Sequence, residues 1–174
     1  EVLSEVCQDL PEFTKAVLYA PTHREGDLVR LFPFEDFQEQ KLLKFLEQEK
    51  LLLCIRTHLY TQKVKNLPDS PRIRWLNEDR AEDVMEVLDV FDLLITDYSS
   101  IYIDFLLTGK PQIFLPYDKQ EYLAQRGLNF SYDQVTPGPQ PETIGDFCIQ
   151  VKELLEGEDG YEKMRGKIGR FFNE

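Results

Sequence analysis

The stretch Asp92-Leu93-Leu94-Ile95-Thr96-Asp97-Tyr98-Ser99-Ser100-Ile101-Tyr102-Ile103-Asp104-Phe105-Leu106-Leu107 decides the fold. Leu93–Thr96 is a short apolar run of the kind buried on both faces of a parallel sheet. Residues 101–107 are apolar nearly all round, as a buried helix is. Between the two stand Asp97, Tyr98, Ser99 and Ser100. A strand that turns through small hydroxyl residues into a helix leaves the first N–H groups of that helix unpaired. Those groups, the serine hydroxyls and the positive end of the helix dipole together make a place for a phosphate. The same serines also suit a plain helix cap, and this stretch alone does not choose between the two.

The pattern repeats outward from there. Residues 17–20 and 51–56 read as continuously apolar strands, 73–76 and 112–115 as shorter ones. Helical spacing marks residues 34–50, with Leu42, Phe45 and Leu46 on one face, then 81–90, 144–155 and 161–172. Residues 1–15 read as an amphipathic helix interrupted by Pro11. Gly109-Lys110-Pro111 reads as a helix stop. Pro116-Tyr117-Asp118 leads into a polar loop in which Arg126 precedes Gly127, and Pro137-Gly138-Pro139 reads as a linker. Alternating helices and short apolar strands predict an α/β fold: a Rossmann-like parallel sheet with helices on both faces. Ligands of such sheets bind outside the carboxyl ends of the strands. That rule selects residues 21–27, Thr57-His58, 96–100 and 116–118.

Length and charge narrow the function. A chain of 174 residues suits one domain, and no apolar run approaches the ~18 residues of a membrane span. No signal-peptide pattern opens the chain, which starts in a polar segment, as a piece of a longer protein does. A net charge of −12 argues against broad nucleic-acid binding, so an anionic ligand needs a local cluster of donors. Cys7, Cys54 and Cys148 lack CxxC spacing and suit reduced thiols. The two histidines are far apart in sequence, so no metal-ligand pattern is present and no metal is expected. Neither a GxSxG elbow nor a GxxxxGK[ST] loop occurs.

Several stretches resemble one family when taken in order. They are Leu18-Tyr19-Ala20-Pro21-Thr22, the block from Leu94 to Phe105, Lys110-Pro111-Gln112-Ile113-Phe114-Leu115-Pro116-Tyr117-Asp118, Arg126-Gly127 and Pro137-Gly138-Pro139. Together they resemble the C-terminal half of the CDP-glycerol glycerophosphotransferases, the teichoic-acid polymerases and primases, over about residues 16–156. The resemblance implies one lobe of a GT-B glycosyltransferase fold, with residues 1–174 as a single nucleotide-donor-binding domain. The N-terminal acceptor lobe, which carries the family's Trp-His-Gly-Thr stretch and histidine general base, is absent from this chain. The implied reaction moves glycerol phosphate, or a related polyol phosphate, from a CDP-activated donor to an acceptor hydroxyl. It needs no cofactor. The implied acceptor is lipid-linked, which puts the enzyme in the cytoplasm, peripheral to the inner face of the cell membrane. Two departures stand out: His23 where the family usually has a large aromatic, and Leu59 where it often has proline. They leave open a nucleotide-sugar transferase of the same fold, or a non-catalytic nucleotide-binding module.

The candidate residues follow. In an extended strand Arg56 and His58 share a face. Arg56 suits bidentate contact with a diphosphate, and His58, the candidate catalytic residue, suits proton donation to the leaving phosphate. The alternative is a histidine hydrogen-bonded at a sheet edge. Ser99 and Ser100 are the phosphate candidates, with Asp104 one helical turn beyond Ser100. Asp104 suits a ribose or glycerol hydroxyl, or orientation of Ser100; otherwise it complements the helix dipole. Thr22 and Arg126 complete the substrate-binding set, Arg126 with a solvated surface role as its alternative. Asp97 reads as structural, and Phe32-Pro33-Phe34 as packing or a contact with the absent lobe.

Overall fold

The computed structural model describes residues 3, 9–22, 30–57, 67–76, 84–126 and 130–173. Five strands form one parallel sheet: β1 (Lys15–Tyr19), β2 (Leu51–Ile55), β3 (Ile73–Trp75), β4 (Leu93–Thr96) and β5 (Gln112–Phe114). Their spatial order is β3-β2-β1-β4-β5. The chain builds outward from β1 to β3, then returns to the other side of β1 for β4 and β5. The order therefore reverses between β1 and β4, the topological switch point of an open α/β sheet.

The strands are apolar throughout because both faces are covered. Alternate residues go to opposite faces. Leu18, Cys54, Leu94 and Phe114 join one core with Phe91, Tyr102, Phe105 and Ile168. Val17, Tyr19, Leu53, Ile95 and Ile113 join the other with Leu42, Leu46, Phe147 and Val151. Helix α1 (Glu39–Gln48) and the helix Ile144–Leu155 cover the second face. The first face is covered by α2 (Ile101–Phe105), which tightens into a 3-10 turn at Leu106–Thr108. Gly109, at φ 71°, ends that turn in the left-handed conformation that glycine adopts without penalty. Then follow α3 (Lys119–Arg126), α4 (Tyr132–Val135), α5 (Ile144–Leu155) and α6 (Glu162–Asn173). Burying one leucine or isoleucine of these cores contributes roughly 1.5–3 kcal/mol.

Aspartates pin the register of β1 against β4 at both ends. At the amino end Asp92 accepts from the Ala16 N–H at 2.9 Å and from Lys15 at 3.0 Å. At the carboxyl end Asp97 accepts from Thr22 in the loop after β1.

Several sequence expectations are corrected. Arg126 does not lie in a polar loop; it is the last residue of α3. Residues 9–14 are not helical, and Asp9 takes a positive φ. The helix expected from residue 34 begins at Glu39, because Phe32 and Phe34 are buried in the second core. The described part of 81–90 is a 3-10 helix, Val84–Val90. Residues 137–139 are no linker. They are buried along the outer edge of β5, where the Phe114 N–H donates to the Pro139 carbonyl at 3.0 Å. A Cβ on Gly138 would stand 2.0 Å from the Gln112 carbonyl oxygen, so only glycine fits that approach.

Candidate functional site

A cleft of about 240 Å³ opens at the switch point. Ala20 and Pro21, just past β1, form one wall. Arg56 and Thr57, just past β2, form the second. Ser99, Ser100 and Asp104, from the β4 turn and α2, form the third, and Val84 and Met85 flank them. Four residues singled out from sequence thus meet in one place: Arg56, Ser99, Ser100 and Asp104. Ser99 and Arg56 are half-buried and Ser100 is exposed.

The turn into α2 explains which groups face the cleft. The Ile101 N–H points at Ser99 Oγ from 3.5 Å, the limit of hydrogen bonding. The Tyr102 and Ile103 N–H groups donate to the Ser99 and Ser100 carbonyls at 3.4 and 2.9 Å. These backbone donors are turned inward, so the anion site expected from free helix N–H groups is narrower than the sequence suggested. Ser100 makes no side-chain cap bond, so its hydroxyl is available to a ligand.

Thr22 is placed differently from its neighbours. Its N–H and hydroxyl donate to Asp97 Oδ1 at 2.8 and 2.5 Å. Oδ1 also accepts from the Tyr98 N–H at 2.6 Å. Asp97 is 3% exposed, and its own carbonyl accepts from the Tyr132 hydroxyl at 2.7 Å. Burial above all, then Asp97 and Tyr98 nearby, holds the Tyr132 phenol far above the usual tyrosine range, so it stays a donor. Helix α3 is fixed to the same turn by Tyr122, whose ring stacks on Tyr98 at 3.9 Å. His58, His23, Leu59 and Gly127 lie outside the described residues, as does the side chain of Arg126. Among the described residues no group of His, Cys, Asp and Glu converges as metal ligands do.

The strand-end rule also selected residues 116–118, and Pro116 and Tyr117 line a second cleft of about 640 Å³ beside the end of β5, with Phe34, Leu115 and Thr143. It is the larger, yet it suits a diphosphate poorly. Glu35, Asp36 and Glu142 line it, and its one cation among the described residues, Lys119, is paired with Asp133 at 2.7 Å. The smaller cleft has Arg56, three hydroxyl residues (Thr57, Ser99 and Ser100) and the switch-point position.

A fold of this kind, with polar groups gathered at the strand ends, is that of Rossmann-like nucleotide-binding proteins. The family model for CDP-Glycerol:Poly(glycerophosphate) glycerophosphotransferase matches residues 6–174, and the chain belongs to that family. It is 31% identical to the teichoic acid glycerol-phosphate primase of Bacillus spizizenii over 166 residues, 95% of this chain and 40% of the primase. It is 29% identical to the teichoic acid poly(ribitol-phosphate) polymerase of the same organism, over 92% of this chain and 25% of the polymerase. The wall teichoic acid polymerase TagF superposes with a TM-score of 0.76 at 26% identity, covering 98% of this chain and 43% of TagF. A TagF variant soaked with CDPG gives 0.75 at 27% identity, over 94% of this chain and 40% of the other. The chain thus spans well under half the length of these relatives.

Proposed function

We propose that this chain is the donor-binding lobe of a CDP-glycerol glycerophosphotransferase, and that the switch-point cleft holds the donor's diphosphate. The observation that carries the reading is the convergence of Arg56, Ser99, Ser100 and Asp104 on one cleft. The family membership and the CDPG soaked into a TagF variant support it.

In this reading Arg56 pairs with the diphosphate through its guanidinium fork, and the Ser99 and Ser100 hydroxyls donate to phosphate oxygens. Asp104 accepts from a ribose or glycerol hydroxyl. An acceptor hydroxyl attacks the β-phosphorus in line. Its proton passes to a base in the second lobe, the bond from that phosphorus to the bridging oxygen breaks, and CMP leaves. Negative charge grows on the leaving phosphate, where Arg56 and the serines stabilise it. His58, carried over from the resemblance, supplies a proton or positive charge there. Arg126, at the end of α3, is the remaining donor-side cation of the set. The products are teichoic-acid-like polyol phosphates. The acceptor is lipid-linked, and the full-length enzyme works at the inner face of the membrane.

Calorimetric titration of the chain with CDP-glycerol, CDP-ribitol and UDP-glucose tests the reading. CDP-linked polyols should bind, and Arg56→Ala should weaken them about tenfold or more. Preference for the UDP-sugar would replace this reading with that of a nucleotide-sugar transferase.

A further inference from the structure

Asp97 is a carboxylate withdrawn almost fully from water, at 3% exposure. Such a group persists in a fold only when donors surround it. Among the described residues its donors come from two separate loops. Thr22 N–H and Oγ1–H reach Oδ1 from the loop after β1, and Tyr98 N–H reaches it from the turn after β4. A second tie lies one residue back, where Thr96 Oγ1 donates to the Ala20 carbonyl at 2.7 Å. These two loops are adjoining walls of the cleft, Ala20 and Pro21 in one, Ser99 and Ser100 in the next.

We infer that Asp97 is a positioning residue that works through Thr22, clamping the wall after β1 onto the serine turn and so fixing the gap that receives the donor. The inference rests on the donor reading of the cleft and changes the part of Thr22. The resemblance put Thr22 among the substrate contacts, whereas its hydroxyl hydrogen is directed at the carboxylate. The carboxylate itself does not touch the ligand. A charge directed at a diphosphate would repel it, and here the charge is turned inward onto N–H and O–H donors.

A double-mutant cycle on CDP affinity tests this, with CDP as the probe and the chain as it stands. Thr22→Val should weaken CDP about fivefold or more, and Thr22→Ser, which keeps the hydroxyl, should stay within about twofold of the parent. Asp97→Asn should also weaken CDP, and adding Thr22→Val to it should change little, because both act through one contact. Multiplying effects would mean that Thr22 touches the nucleotide itself, and would overturn the inference. Amide hydrogen exchange gives a readout that needs no ligand. Thr22 and Tyr98 amides should lose protection in Asp97→Asn while Leu53 in β2 keeps its own; unchanged Thr22 and Tyr98 protection overturns the clamp. Should Asp97→Asn not fold, exchange at Tyr98 in Thr22→Val and rescue by Thr22→Ser decide the matter. A parent chain that does not bind CDP overturns the donor reading, and exchange then still decides whether the clamp exists.

Discussion

In the proposed function, single residues divide into those that meet the ligand and those that hold the walls. Ser100 belongs to the first group. It makes no cap bond and sits exposed at the mouth of the cleft. Ser100→Ala should therefore weaken CDP-glycerol about tenfold, the effect of one charge-assisted hydrogen bond of ~1.5 kcal/mol, and leave the melting temperature within about 1 °C. Calorimetric titration and a thermal melt check both halves. Gly138 belongs to the second group. Its missing Cβ would sit 2.0 Å from a backbone oxygen and 3.1 Å from the Phe114 ring. Gly138→Ala should cost on the order of 3 kcal/mol, lowering the melting temperature by roughly 6–12 °C. The serines were legible in the sequence because a strand, two hydroxyl residues and an apolar helix follow one another directly. Gly138 was not, because Pro-Gly-Pro looks the same in a linker and in a buried edge. Only the tertiary neighbour, Gln112, separates the two.

At the scale of elements, α6 is held by a buried ion pair rather than by packing alone. Arg165, 5% exposed, pairs with Asp159 and donates from Nε to the Gly109 carbonyl at 3.2 Å. Burial would raise the Asp159 pKa; the hydrogen bonds from Arg165 and the Tyr161 N–H outweigh it and hold the carboxyl below its usual range. A carboxyl depressed in the folded state stabilises the fold above its unfolded pKa, about 4, and loses that contribution as pH falls through the folded value. Denaturant melts of the parent and Asp159→Asn should therefore differ fully at pH 7 and converge towards pH 3. A gap that stays constant with pH would contradict the assignment. Arg165→Met should cost roughly 3 kcal/mol at pH 7, since it leaves a half-buried carboxylate unpaired. The strands of this sheet were legible, because parallel strands buried on both faces read as unbroken apolar runs. Helix α3 was not. Its Lys-Gln-Glu-Tyr-Leu-Ala-Gln-Arg carries little apolar surface, and its placement depends on the Tyr122 ring meeting Tyr98, 24 residues earlier in the chain.

For the whole molecule, strand order is what turns scattered motifs into a site. The order β3-β2-β1-β4-β5 brings the ends of β1, β2 and β4 side by side. Sequence named three of the cleft's walls without showing that they adjoin, and it gave no sign that Asp97 ties two of them together. Local periodicity carries no information about which strands become neighbours. The chain spans 25% of one relative and 40% of another, and in the proposed function the general base belongs to a second lobe. The 174-residue chain should bind CDP-glycerol yet transfer no glycerol phosphate to a lipid-linked acceptor. Turnover by this chain alone, followed with labelled donor, would show that the general base lies within it.

In the proposed function the donor's diphosphate sits at the switch point, not in the larger cleft beside β5. The most direct measurement is titration of the isotope-labelled chain with CDP, followed by amide chemical shifts. Saturable shifts are expected at Ala20, Arg56, Thr57, Ser99, Ser100 and Ile101, with Phe34, Tyr117 and Thr143 unmoved. Shifts confined to Phe34, Tyr117 and Thr143, or none at millimolar CDP, would contradict that placement.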